Sequence, residues 1–569
     1  MKLFRVDMKA GQVRSEAVPD IYQKLGGRAL IAKLLLEEIP PACDALGPNN
    51  KLIFCPGLLG GASVAAAGRL SVGGKSPLTG GIKEANAGGT AGDALGKLGI
   101  KALVIESQPE KGKLYLLHVQ GGHAELIPAD DLRGMGTYAV SEKLQERFGK
   151  NATIISIGPA GEQLLTGACI ACTGEADQRS NLAARGGLGA LMGSKGLKAV
   201  VIEKAAGAIQ TADKELLRSA AQTFAQKLIN DPKLGTQGTQ HLYGTASIVG
   251  AVNEIGSLPT RNFSNGNFEG VGDLRGEYMR EVILARGGKI GTRCMPGCTI
   301  ACRNLYVDEG GKPIVGTLQY ETISLMGSNL GLGNLDDVAR LNYMCNDFGL
   351  DTIETGAALG ILIEAGLASF GDAKAIIALL AQVGEGTPLG KLIGSGAVTC
   401  GRVFGINRVP ATLGQAMPGY DPRSLKGNGV TYATSPQGAD HTAGNAFGAR
   451  NQVNPLAVEG QKELSLKLQI IAAMLDSTGL CLFARPPVIA EPQLMANMIN
   501  GIYGWGWTVE DLDCFYRDVL RNELEFNRQA GITAADYRIP EYMREEPLAP
   551  HQATFNIPDS ELDKVFETL

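Results

Sequence analysis

Two rhythms of apolar residues divide this chain. Up to about residue 205, short runs such as Lys51-Leu52-Ile53-Phe54, Ala102-Leu103-Val104-Ile105, Leu114-Tyr115-Leu116-Leu117 and Ala199-Val200-Val201-Ile202 alternate with glycine-rich turns, the pattern of short strands. Beyond that point the apolar spacing becomes three and four. One amphipathic stretch opens at Asp213-Lys214-Glu215-Leu216-Leu217, and others cover 336–345 and 373–383. Pro410 and the segment from Pro418 to Pro422 interrupt the periodicity, which returns at 461–475, 491–502 and 509–528. The pattern predicts an α+β protein: a sheet-rich N-terminal base domain over 1–205, followed by two mainly helical domains over 206–405 and 406–569. No repeat of fixed period is visible. The proline-rich stretch 540–550 is expected to wrap the surface.

Composition adds one anomaly. The 77 glycines among 569 residues are nearly twice the roughly 7% of an average protein, so some part of the fold needs close backbone approach. A net charge of −5 offers no basic footprint for nucleic acid. The first residues, Met1-Lys2-Leu3-Phe4-Arg5-Val6-Asp7, carry no apolar signal core, and no uncharged apolar run reaches the length of a membrane span. The expected address is the cytoplasm, with no membrane partner. Cytosolic thiols stay reduced, so clusters among the 11 cysteines read better as metal ligands than as disulfides.

The one dense cluster is Arg293-Cys294-Met295-Pro296-Gly297-Cys298-Thr299-Ile300-Ala301-Cys302-Arg303, a C-x3-C-x3-C run. Thiolates suit iron–sulfur iron, and a cubane takes four, commonly three from a local run and one from elsewhere. Pro296-Gly297 argues against a regular helix, which leaves the run free to curl around a cluster. Zinc, or three buried structural cysteines, are the competing readings. Cys169-x2-Cys172 reads better as two buried small residues than as half of a metal site. Gly74-Lys75-Ser76 is not a Walker loop, because position 69 is Arg69 where that motif needs glycine.

Asp476-Ser477-Thr478-Gly479-Leu480-Cys481 matches the D-x-x-G-L-C motif of the aldehyde ferredoxin oxidoreductase family, and the chain resembles that family in order over nearly its whole length. Asn346-Asp347-Phe348-Gly349-Leu350-Asp351 is similar to the sister motif D-x-x-G-L-D, with Asn346 in place of the first aspartate, where an amide offers a single acceptor. Gly68-Arg69-Leu70-Ser71-Val72 and Glu84-Ala85-Asn86-Ala87-Gly88-Gly89 resemble the pterin-phosphate side, and the stretch from Ala183 through Arg185 to Lys195 resembles the second phosphate segment. The resemblance implies a tungsto- or molybdo-bis(pterin) cofactor contacted by Arg69, Asn86, Ala183, Arg185, Asn346, Asp351, Asp476 and Leu480. It implies Mg²⁺ bridging the pterin phosphates, with a carbonyl from Asn86, and Arg69 between pterin and cluster. It also implies a 4Fe–4S cluster on Cys294, Cys298, Cys302 and Cys481, the cofactor and cluster lying where base and helical domains meet.

Two further positions match the family's catalytic groups: Glu321 in Gln319-Tyr320-Glu321-Thr322, and His441, one of five histidines, in Ala439-Asp440-His441. The implied activity is oxidation of a small-molecule aldehyde to a carboxylic acid, Glu321 taking the proton and His441 donating a hydrogen bond where negative charge develops. Electrons would leave through the cluster to a ferredoxin or a small iron–sulfur subunit. Arg340-Leu341-Asn342-Tyr343 stands where archaeal relatives carry E-x-x-H for an intersubunit metal, so any oligomer is expected to lack that bridge. The rival readings are a low-potential reductase of the benzoyl-CoA reductase type and a non-catalytic iron–sulfur electron-transfer subunit.

Overall fold

The computed structural model describes residues 1–175, 181–204 and 207–569; the domain boundary expected at 205/206 lies outside the described residues. Two six-stranded sheets form the N-terminal base. The first contains Lys2–Asp7 (β1), Gln12–Ala17 (β2), Leu52–Pro56 (β3), Leu70–Lys75 (β4), Ile82–Ala87 (β5) and Ile100–Glu106 (β6), in the order β2-β1-β6-β3-β4-β5. The second contains Tyr115–Gln120 (β7), His123–Pro128 (β8), Thr153–Ser156 (β9), Ile170–Cys172 (β10), Asn181–Ala183 (β11) and Leu197–Ile202 (β12), in the order β8-β7-β12-β9-β10-β11.

The second order is the first with six added to every strand, and the pairing senses agree. β1 with β6 and β7 with β12 are parallel, while the corresponding remaining neighbours are antiparallel. Helices fall at equivalent places too: Gly27–Glu38 before β3 and Thr137–Phe148 before β9, Ala91–Lys97 before β6 and Leu188–Ser194 before β12. The base is thus an internal duplication, where the sequence showed no repeat. It escaped notice because what is repeated is topology; the side chains and loop lengths of the two halves have diverged.

The strands read as continuous apolar runs because both faces of each sheet are covered. Phe4, Val6, Phe54, Leu103 and Ile105 of the first sheet meet Leu117, Ile155, Ile170 and Val200 of the second. On the opposite face, Leu3, Ile53, Ala102 and Val104 pack under helices including Gly27–Glu38, Lys214–Ile229 and Val509–Gln529. The second sheet's outer face is closed by Val140 and Leu144 of Thr137–Phe148.

A separate helical core surrounds Leu335–Phe348 and Thr352–Glu364. The middle region, expected to be mainly helical, also carries a small sheet, Lys289–Thr292, Arg303–Val307 and Pro313–Val315. Strands of three to five residues hold too few positions for an apolar period to register. The stretch 540–550 does more than wrap the surface: Met543 and Leu548 are fully buried, and Met543 enters the helical core together with Phe555, Ile557 and Leu562.

Among the described residues no single helix is long and apolar enough to cross a membrane. The bent pair Ala373–Glu385 and Pro388–Gly394 passes that composition test, and its Ile376, Leu380, Val383 and Ile393 are spent in the helical core.

Candidate active site

Each half of the base receives the C-terminal end of one helix. Gln461–Thr478 ends at Gly479, whose φ of +80° lets the chain turn. Leu480 then forms an antiparallel bridge with Ala67, the Cys481 N–H donates to Ala66 O at 2.9 Å, and the Gly68 and Arg69 N–H groups donate to Gly479 O at 3.1 Å. Leu335–Phe348 ends likewise at Gly349, φ +74°. Leu350 bridges Ala168, and the Cys169 N–H donates to Gly349 O at 2.8 Å. The two similar motifs therefore dock at equivalent places on the duplicated base, which the sequence did not reveal.

This docking is where the glycine excess is needed. A Cβ on Gly57 would stand 2.1 Å from Gly479 N, one on Gly27 2.0 Å from Asp476 O, and one on Gly158 2.3 Å from Phe348 O. No side chain fits between these backbones.

The C-x3-C-x3-C run is an irregular loop between the strands Lys289–Thr292 and Arg303–Val307, as Pro296-Gly297 required. The thiols of Cys294, Cys298, Cys302 and Cys481 lie close enough to perturb one another. A hydrogen bond to the Cys298 thiol, then the nearby Arg303 and Arg69, pull Cys294 down to about 6, while the same bond and burial push Cys298 up. Burial carries Cys302 to about 12 and also raises Cys481. Among the described residues no three His, Cys, Asp or Glu side chains converge on a point as a single metal ion would require. Cys169 and Cys172 are buried, and burial is the main cause that raises their thiols.

Arg69 reaches into that neighbourhood. Its Nη2 donates to Asn86 O at 3.1 Å and its Nε to Asn86 Oδ1, and its charge is felt by Cys294, Cys481 and Asp476. The guanidinium is thus near both the thiol set and the Asp476 carboxylate. A Cβ on Gly88 would lie 3.4 Å from Cys294 Sγ, so the 84–89 segment borders the same space. Asn86 O, expected to face Mg²⁺, accepts from Arg69 in this structure.

The other expected cofactor contacts divide. Burial raises Asp476 to about 6 against the pull of Arg28 and Arg69, and its Oδ2 lies 3.4 Å from Arg28 Nη1. Arg28 is itself clamped in two bonds of 2.7 and 2.8 Å to Glu523. Leu480 is buried at the Ala67 bridge and Ala183 is buried in β11. Arg185 and Asp351 are engaged with protein: Arg185 Nε donates to Asp351 Oδ2 at 3.2 Å, its Nη atoms to Ala416 O and Ala439 O, and Asp351 Oδ1 caps Thr352–Glu364 through the Ile353 N–H at 2.9 Å. The Asn346 amide donates to the Tyr138 hydroxyl at 3.2 Å.

Glu321, in the first turn of Tyr320–Met326, and His441, opening a short 3-10 turn, face each other with Oε1 to Nε2 at 3.3 Å. Glu321 Oε2 is anchored by the Gly419 N–H at 2.7 Å, whereas Glu321 Oε1 and His441 Nδ1 are buried without a hydrogen-bond partner. Burial raises the Glu321 carboxyl, opposed by His441, the Gly419 N–H and Arg185. Behind His441, Asp440 binds Lys83 Nζ at 2.7 Å and also feels Arg185, which holds it ionised far below the usual range despite burial. The Tyr420 ring lies 6.0 Å from His441 and 5.0 Å from Tyr320.

Lys83, Arg28, Glu523 and Gly419 were not singled out from the sequence. Lys83 could have been: Ile82-Lys83-Glu84-Ala85-Asn86-Ala87 puts two charges into a strand whose residues are nearly all buried, and a buried charge needs a partner.

Comparison with known proteins agrees with this architecture. Residues 3–204 match the family description "Aldehyde ferredoxin oxidoreductase, N-terminal domain", and residues 219–568 match "Aldehyde ferredoxin oxidoreductase, domains 2 & 3". The tungsten-containing aldehyde ferredoxin oxidoreductases of Thermococcus kodakarensis and Pyrococcus furiosus are 33% and 32% identical, each over 96% of this chain and 92% of their own. The aliphatic sulfonate oxidoreductase, WOR-like subunit, of Pyrococcus furiosus is 25% identical over 88% of this chain and 82% of its own. Among solved structures, the active-site complex BamBC of benzoyl coenzyme A reductase with 1,5-dienoyl-CoA superposes with a TM-score of 0.81 at 18% identity, covering 99% of this chain and 93% of that one; at that identity the likeness concerns the fold. The duplicated base with helical domains docked on it is thus an oxidoreductase fold. The chain belongs to the aldehyde ferredoxin oxidoreductase family.

Proposed function

We propose that this protein oxidises aldehydes to carboxylic acids at a tungsten bis-pterin centre, molybdenum being the other metal such a site would take, and delivers the electrons to a ferredoxin or a small iron–sulfur subunit. The observation that carries the reading is the Glu321–His441 pair: two half-buried proton-exchanging groups 3.3 Å apart, each with one buried polar atom left without a partner. Buried polar atoms are ordinarily paired, so unspent ones invite a ligand. Ser477 Oγ, beside Asp476, is unpartnered as well.

The residues present fit the cofactors. Asp476 and Arg69 would meet the pterins, with Leu480, Asn346, Ala183 and the 84–89 segment around them; Arg185 and Asp351 would act mainly by tying the base to the helical domains at the second motif. Asn86 O would turn to Mg²⁺ on giving up Arg69. Cys294, Cys298, Cys302 and Cys481 would hold a 4Fe–4S cluster that passes electrons singly. When bound, the metal centre supplies the two-electron acceptor that no side chain provides.

Overall, RCHO + H2O gives RCOOH + 2 H⁺ + 2 e⁻. Glu321 Oε1 takes a proton from the water that adds to the carbonyl carbon, or from a hydroxyl of the preformed hydrate, Oε2 being fixed by the Gly419 N–H. His441 Nε2 orients the substrate oxygen, and Asp440, kept ionised by Lys83, places a carboxylate oxygen 3.8 Å from His441 Nδ1. The test is reduction of a viologen dye by anaerobically purified, tungsten-loaded protein across a panel of aliphatic and aromatic aldehydes. Turnover with at least one aldehyde, and none with benzoyl-CoA plus a low-potential donor, is expected; thioester reduction without aldehyde oxidation would overturn the reading.

A further inference from the structure

The duplication of the base sets two pairs of residues in equivalent places. The helices Gly27–Glu38 and Thr137–Phe148 are counterparts in the two halves, and each meets the first residue of one docked motif with its own first two residues. Gly27 lies against the Asp476 carbonyl, where a Cβ would stand 2.0 Å from the oxygen, and Thr137 Oγ1 donates to the Asn346 carbonyl at 2.8 Å. The second helical residue meets the side chain. Arg28 Nη1 donates to Asp476 Oδ2 at 3.4 Å, and the Asn346 amide donates to the Tyr138 hydroxyl at 3.2 Å. Arg28 therefore corresponds to Tyr138 as Asp476 corresponds to Asn346.

The two pairs are matched in charge. A carboxylate sheltered from water needs a cation, and Asp476 has the guanidinium of Arg28, which is 1% exposed and steadied by Glu523. An amide needs only a hydrogen-bond partner, and Asn346, 2% exposed, has a phenol. The Tyr138 ring is fixed in turn by stacking on Tyr343, with centroids 5.0 Å apart and planes at 7°. Because the Asn346 nitrogen is spent on Tyr138, its oxygen is the atom left to accept from a ligand. Asparagine at 346 is thus one half of a matched pair and not a lost contact.

We propose that Arg28 and Tyr138 are positioning residues for the two pterins, Arg28 holding Asp476 as an ionised acceptor and Tyr138 holding the Asn346 amide as a neutral one, so that the two halves of the cofactor are gripped unequally. The assignment rests on the bis-pterin reading given above.

The test is pterin per chain, released oxidatively from anaerobically purified holoprotein and read by fluorescence, with thermal melts to follow folding. Tyr138→Phe keeps the stacked ring and removes the acceptor, and pterin should fall about threefold. Asn346→Asp places a carboxylate beside a phenol where the first half has a guanidinium, and should lower pterin about tenfold. Tyr138→Arg alone should also lower it, whereas Asn346→Asp with Tyr138→Arg rebuilds the charged pair of the first half and should return pterin to near the wild-type content. Arg28→Gln with Glu523→Gln takes away the cation together with its anchor and should lower pterin about tenfold. Full pterin in Tyr138→Phe, or a double variant at 138 and 346 no better than its two singles, would overturn the role of Tyr138; full pterin in the Arg28, Glu523 variant would overturn that of Arg28. Wild-type protein without pterin would instead remove the bis-pterin reading itself.

Discussion

Glu321 Oε1 lies 3.3 Å from His441 Nε2, while the other carboxylate oxygen is pinned by the Gly419 N–H at 2.7 Å. One end of the carboxylate is held and the other is left to work, the division expected of a base that must not rotate away from its substrate. Glu321→Gln keeps the shape and the Gly419 bond and removes the basicity. Steady-state kinetics should show a loss in kcat of about 10²-fold or more, with tungsten and iron content unchanged. Near-normal turnover would remove Glu321 from the chemistry.

The same residue fixes a pH dependence. Burial raises the Glu321 carboxyl above its ordinary value, so the acid limb of the kcat/KM profile should lie above the roughly 4.3 of a free glutamate. In stability the sign is opposite to that of a salt-bridged carboxylate: the folded state holds the proton more tightly, so this stabilisation is present at low pH and is lost as pH rises through the folded value. Thermal melts of Glu321→Gln should therefore equal or exceed wild type at alkaline pH. A clear loss of Tm there would show that the charged form is structurally required.

Cysteine replacements should sort the thiols. Cys481→Ala leaves Cys294, Cys298 and Cys302 without a fourth partner, and iron per chain and the visible absorption should fall sharply. Cys172→Ala trims a buried side chain in β10 at a cost of about 1 kcal/mol and should keep full iron. If both variants kept iron, Cys481 would not be a ligand.

Lys83 Nζ is buried against Asp440. Lys83→Met takes from that carboxylate its ion-pair partner and leaves it the Thr442 hydrogen bonds and the more distant charge of Arg185, and chemical denaturation should report a loss of about 3–5 kcal/mol. Lys83→Met with Asp440→Asn should recover much of the stability but not the activity, because the imidazole of His441 loses its anionic neighbour. Full recovery of both would assign the pair a structural role alone.

Glycines provide a contrast in one substitution. Gly57→Ala drives a methyl into the Gly479 backbone, whereas Gly80→Ala meets nothing within 4 Å and carries only the strain of its positive φ, about 1 kcal/mol. Gly57→Ala should lose bound metal and iron together, since it displaces Asp476-to-Cys481 as a unit; Gly80→Ala should retain both. Retention of both in Gly57→Ala would contradict the docking.

What the sequence made legible follows physical lines. Long periodic segments were readable: the helices predicted at 461–475 and 509–528 appear as Gln461–Thr478 and Val509–Gln529. Strands such as Leu52–Pro56 were readable because double-sided burial demands apolar runs. The sheet flanking the cysteine loop was too short to carry a period, and the duplication of the base is one of topology, in strand order, pairing sense and helix placement. The structure brings together residues named from the motifs, Glu321 with His441 and Asp476 with Arg69, but the buried partners behind them were not readable. Lys83 meets Asp440 across a separation of 357 residues, and Arg28 meets Glu523 across 495. No local pattern encodes such pairings.

The most direct test of the central claim is elemental analysis of anaerobically purified protein, expressed per chain. One tungsten or molybdenum with about four iron, the content of one cubane, is predicted. Iron with neither tungsten nor molybdenum, in protein from a host replete in both, would contradict it.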